Sequence, residues 1–174
     1  MKQKSSMFEL VKKTIGYKLI ENDIKESKVI TSKQNMPDEN VFIVNKTTTY
    51  KDINLYNGTY YSRYFEWYGE ARELFFSKKL SFDMMDHLDD IRLITVEASN
   101  KYIHEIPIFE DISIHVQIKL LSIVRSVMSF KVFNSSGILC AEGLQTFIFT
   151  DPKGKPIKIP AIIKGRASKY LTRD

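Results

Sequence analysis

A single cysteine, Cys140, lies in an apolar run, so the chain cannot form an intramolecular disulfide. That usage fits a reducing compartment. No apolar stretch approaches the roughly 20 residues needed to cross a bilayer. Lys2 and Lys4 are not followed by an apolar segment of signal-peptide length. A cytoplasmic location is therefore expected. The three histidines, His87, His104 and His115, lack metal-ligand spacing, and no metal site is expected. Cys140 has no readable activating partner and is read as a small buried hydrophobe. No nucleic-acid motif or basic–aromatic repeat is present.

The chain has 174 residues, 43% of them hydrophobic and 27% charged, which suits one globular domain with a sizeable core. Its net charge of +5 is uneven, because residues 151–174 hold seven Lys and Arg against two Asp and so account for the whole excess. Such a segment is either a solvated tail or a surface that steers an acidic or phosphate-bearing partner. Three regions are expected: an N-terminal extension over 1–40, partly helical around Phe8–Ile20; a domain over 41–160; and a basic tail over 161–174.

Within the domain, Val41–Tyr50 is rich in β-branched and aromatic residues and reads as a strand. Turn residues follow at Asp52–Asn54 and Asn57-Gly58. From Tyr60 to Phe76 the spacing switches to helical. Tyr61, Tyr64, Phe65, Tyr68 and Phe75 form one stripe; Tyr60, Tyr64, Trp67, Ala71 and Leu74 form another. Two stripes predict a helix buried on most sides.

Ile112, Ile114, Val116, Ile118 and Leu120 then alternate with Ser113, His115, Gln117 and Lys119, a clear strand period. Ile91–Tyr102, Val127–Phe133 and Ile138–Thr150 are further strands, with turns at Asn134–Gly137 and Asp151–Gly154. Gly143, inside the last strand, marks a bulge or a close backbone approach. The order is one strand, one long helix, then four strands expected to follow one another as a meander. An α+β domain in which an antiparallel sheet wraps one long central helix satisfies that order, the hotdog arrangement.

The loop-and-helix segment Asn54-Leu55-Tyr56-Asn57-Gly58-Thr59-Tyr60-Tyr61, with Tyr64, Trp67, Gly69, Arg72, Glu73 and Phe75, resembles the signature of hotdog acyl thioesterases. It is most similar to the enediyne and polyketide biosynthetic branch of the 4-hydroxybenzoyl-CoA thioesterase-like superfamily. Phe109–Ile114, Ala141–Phe149, Gly154-Lys155-Pro156 and Pro160 extend the resemblance over about residues 41–160. The resemblance implies hydrolysis of an acyl thioester on coenzyme A or an acyl carrier protein. It also implies a homodimer that assembles further into a homotetramer. No cofactor is implied.

One departure bears on mechanism. The 4-hydroxybenzoyl-CoA group places an aspartate where Asn54 stands, and an asparagine neither attacks as a carboxylate nor takes a proton. The enediyne branch shares the asparagine and keeps an arginine at the place of Arg72. Asn54 is thus expected to orient a water or hold the carbonyl. Backbone amides around Gly58, Thr59, Tyr60 and Tyr61, placed at the start of the helix, would stabilise an oxyanion, and Tyr60 and Tyr61 would shape an acyl tunnel.

Arg72 points either into a ligand channel or to a sheet carboxylate such as Glu97 or Glu105. Glu73 is a base or a support for Arg72. Two other functions stay open. One is a non-catalytic module that binds acyl thioesters, consistent with the missing aspartate. The other is a dehydratase or hydratase, disfavoured because no histidine lies near Asn54.

Overall fold

The computed structural model describes residues 40–82, 84–87 and 89–172. The expected N-terminal extension and its helical stretch lie outside the described residues, apart from Asn40.

Five strands form one antiparallel sheet: β1 Phe42–Thr47, β2 Arg92–Tyr102, β3 Asp111–Leu121, β4 Arg125–Asn134 and β5 Leu139–Thr150. The alternation seen in the sequence of β3 sets its faces, with Ile112, Ile114, Val116 and Ile118 buried and the residues between them partly exposed. Met128, Phe130 and Val132 of β4 and Phe147 and Phe149 of β5 extend the same apolar face.

The strand order is β1-β3-β4-β5-β2, which corrects the expected meander. β3, β4 and β5 do follow one another, but β2 pairs with β5, from Arg92 opposite Thr150 to Tyr102 opposite Ala141. The connection 103–110 therefore carries the chain across the sheet. It is tied down midway by fully buried Ile106 and by Thr48, whose hydroxyl donates to Pro107 O at 2.7 Å and accepts from Glu110 N at 2.9 Å.

Helix α1 covers Arg63–Leu80, 18 residues. It starts three residues later than the periodicity suggests, because Tyr60 N donates to Asp52 O and keeps Tyr60 and Tyr61 in the preceding loop. Its burial also differs from the expected all-round cover. Tyr64, Trp67, Tyr68, Ala71 and Phe75 are buried along one stripe, with Phe76 and Leu80 buried beside it, while Glu66, Glu70, Glu73 and Ser77–Lys79 are exposed. The buried stripe meets the sheet through aromatic pairs: Tyr68 stacks on Phe130 with ring centroids 4.6 Å apart, and Phe76 meets Phe147 at 5.9 Å. Ser81, in the left-handed region at φ 45°, ends the helix.

A second helix, α2, covers Ala161–Ala167, so the domain does not rest on one helix alone. Much of the expected basic tail is thereby packed. Ile163 and Ala167 are buried, Arg166 Nη1 donates to Leu80 O at the end of α1, and Leu171 forms a parallel bridge to Ile118. A cation there complements the negative end of the α1 dipole. Lys164 and Lys169 stay exposed while Ile163 and Ala167 enter the core.

Candidate functional site

The loop between β1 and α1 is held from within. Asn54 Oδ1 accepts from Tyr56 N at 2.8 Å and from Gly58 N at 3.3 Å, while Asn54 N donates to Gly58 O at 2.8 Å. Asn57 takes the left-handed conformation at φ 64° that closes this turn, which asparagine tolerates. Asn54 is half-buried, and its carbonyl oxygen serves the loop itself.

The following residues fasten the loop to the connection after β2. Thr59 N and Oγ1 both donate to Ile106 O, at 3.0 and 2.9 Å. The Glu105 side chain lies across Gly58: a Cβ on that glycine would stand 2.0 Å from Glu105 Oε1. Gly58 thus leaves room for a close approach by a side chain of this same chain. Tyr60 and Tyr61 are exposed with their rings 4.7 Å apart, and Tyr102 Oη donates to Tyr61 O at 3.0 Å. Tyr64 is buried beneath them, and burial pushes its phenol well above the usual tyrosine range. Of the amides expected to face an oxyanion, those of Gly58, Thr59 and Tyr60 already have partners; that of Tyr61 has none among the described residues.

Arg72 occupies a different surroundings, nine residues or about 13 Å along α1 from its first residue. Its Nη1 donates to Thr95 Oγ1 at 2.7 Å and reaches Gln145 Oε1 at 3.4 Å. Neither of the carboxylates considered from the sequence, Glu97 or Glu105, pairs with it. Burial lowers its pKa from the ordinary arginine value, with the charge of Glu73 acting the other way. A guanidinium nonetheless stays charged. Arg72 is thus a half-buried cation whose hydrogen-bonding partners among the described residues are neutral. Glu73 is exposed and follows Arg72 on the outer side of the helix. The structure gathers Asn54, Gly58, Thr59, Tyr60 and Tyr61 in one loop; no hydrogen bond or ion pair among the described residues joins them to Arg72 or Glu73.

Three site neighbours escape a local reading of the sequence. Thr95 and Glu105 lie 23 and 47 residues from the positions they serve. Gln145 leaves a trace, since it interrupts the apolar inward positions Ala141, Phe147 and Phe149 of β5 and is only 5% exposed. A buried polar group on an apolar face calls for a partner, and Arg72 supplies it. Cys140 is buried, and desolvation raises its thiol pKa, which suits the structural role expected of it. Among the described residues no group of His, Cys, Asp and Glu has the arrangement of a metal site.

The fold recurs in solved structures. The dynemicin thioesterase is 24% identical over 77% of this chain and 99% of its own, with a TM-score of 0.73. A 1,4-dihydroxy-2-naphthoyl-CoA thioesterase from Synechocystis is 16% identical over 74% of this chain and 96% of its own, with a TM-score of 0.69. A Staphylococcus aureus protein solved in complex with CoA is 16% identical over 80% of this chain and 91% of its own, with a TM-score of 0.71. At such identities these likenesses establish a shared fold. No curated protein sequence matches the chain. The sequence model of the thioesterase-like superfamily matches residues 48–166, from the buried Thr48 through most of α2, and the chain belongs to that superfamily as one of its hotdog members.

Proposed function

We propose that this protein is a cytoplasmic hydrolase that cleaves an acyl or β-ketoacyl thioester carried on coenzyme A or an acyl carrier protein. The observation that carries the reading is Arg72, a half-buried cation whose partners among the described residues are the neutral Thr95 and Gln145. A buried charge without a counter-ion is costly in a resting fold and useful where a ligand brings the missing negative charge. A β-keto oxygen or a developing oxyanion meets that need, and Glu73 beside it moderates the charge. Asn54 retains its side-chain NH2 for a substrate carbonyl while its oxygen braces the loop. The Tyr61 amide is the donor available to an oxyanion at the loop, and Gly58, Thr59, Tyr60 and Tyr61 line the approach. Support also comes from the company the fold keeps, thioesterases acting on CoA thioesters and, in the dynemicin thioesterase, polyene binding.

The proposed assembly is a homodimer through β2, which ends the sheet and has β5 on one side only. Ile94, Val96 and Tyr102 are exposed along it, and an uncovered edge strand of this length is an open template for pairing. Dimers pair further into a homotetramer in this reading. The Lys and Arg of residues 151–174 would meet an acidic carrier.

A second reading, a binding module without turnover, is favoured by the engagement of Asn54 Oδ1 inside the loop. Free-thiol release from acyl and β-ketoacyl thioesters separates the two. Release supports the hydrolase; tight binding without release supports the module.

A further inference from the structure

The turn Asn54–Tyr61 supplies no carboxylate of its own, yet one lies against it in the fold. Glu105 arrives from the β2–β3 connection and fills the space a side chain at residue 58 would take. Its Oε1, Cδ and Cγ stand 2.0, 2.8 and 2.9 Å from an ideal Cβ built on Gly58. The backbone on the C-terminal side of Glu105 is fixed to the loop. Ile106, the next residue, is fully buried and accepts two hydrogen bonds from Thr59, the residue after Gly58. Ile108 N adds a longer bond to Asn57 Oδ1 at 3.4 Å. The carboxylate itself has no hydrogen-bond or ion-pair partner among the described residues, and the residue remains exposed. It is thus held at the loop by its backbone while its oxygens stay available.

We propose that Glu105 is the general base of thioester hydrolysis at this loop, an inference that rests on the thioesterase reading above. Asn54 cannot take a proton, whereas Glu105 can. A water between the Glu105 carboxylate and the thioester carbonyl gives up a proton to Glu105 as its oxygen bonds to the carbonyl carbon. The resulting tetrahedral oxyanion collapses, the carbon–sulfur bond breaks, and the thiolate takes the proton back from Glu105. The products are a carboxylic acid and a free thiol, and Glu105 returns to its starting state. A side chain at residue 58 would displace the carboxylate from this position.

The test uses the full chain with acyl and β-ketoacyl thioesters of coenzyme A and of an acyl carrier protein. Glu105→Gln should lower kcat about 100-fold. KM should stay within about twofold, since the ground-state contacts are kept. The melting temperature should not change. Hydroxylamine, a nucleophile that needs no base, should raise thiol release by the variant toward the wild-type level, counted above the rate hydroxylamine gives without protein. A Glu105→Gln rate equal to wild type, or a loss that hydroxylamine does not restore, overturns the inference while leaving the thioesterase reading in place. A wild-type protein that releases thiol from none of these substrates overturns both.

Discussion

The Tyr68 ring lies against the backbone of Gly143, so closely that a Cβ there would come within 2.2 Å of Tyr68 Cε2. Tyr68 is also stacked on Phe130, and its hydroxyl donates to Asn100 Oδ1 at 2.6 Å, so the ring has nowhere to retreat. Gly143→Ala should therefore destabilise the fold by about 1–3 kcal/mol, the usual cost of overpacking. Urea unfolding followed by circular dichroism measures it, and an unchanged midpoint contradicts this packing.

Asp52 is buried, and burial alone would raise its pKa, but the Thr49 amide and hydroxyl, each 2.8 Å from Oδ2, together with Trp67 and the Lys46 charge outweigh that and leave it lowered. A carboxyl whose pKa is lower in the folded state stabilises the fold above its unfolded pKa, about 4 for aspartate. That contribution is lost as pH falls through the folded value. Asp52→Asn should cost about 1–3 kcal/mol at neutral pH. It should also flatten the loss of stability on acidification, read as urea midpoints across the acid range. Trp67, whose buried indole Nε1 lies close to Asp52, gives a fluorescence probe of the same titration.

Asn54 separates loop structure from chemistry. Asn54→Ala removes the acceptor of the Tyr56 and Gly58 amides and should cost about 1–2 kcal/mol. It should also lower hydrolysis at least about tenfold. Asn54→Asp keeps the acceptor and should retain the stability. Parallel melting curves and thiol-release rates check both halves; an alanine variant with wild-type rate moves the carbonyl contact elsewhere.

How far the sequence is legible depends on the range of each interaction. The alternation in β3 and the turn residues at Asn134–Gly137 are local, and the strands stand within one or two residues of where those patterns put them. Gly143 was legible as either a bulge or a close approach; the register runs through it, and the approaching group is Tyr68. The start of α1 is less legible because Tyr60 and Tyr61 continue a helical spacing that the Tyr60 N to Asp52 O bond overrides. β2 would show the same residues whether it lay beside β3 or β5, so its place is set by the crossing connection with buried Ile106. The Asn54–Gly58 turn is written in adjacent residues, but Glu105 at Gly58 and Thr95 at Arg72 depend on distant strands coming together.

The uncovered edge of β2 predicts an assembly. Light scattering at micromolar concentration should give at least twice the mass of the chain. Val96→Lys, which places a charge on that 54% exposed edge residue, should shift the population toward the single chain. A single-chain mass for the unmodified protein contradicts the proposed dimer.

Thiol release by the purified wild-type protein and by Arg72→Ala, on the same panel of acyl and β-ketoacyl thioesters, tests the central claim most directly. The account predicts release by the wild type and a rate at least about tenfold lower in the variant, with both proteins folded. Equal rates from the two proteins, or no release by the wild type from any thioester, would contradict it.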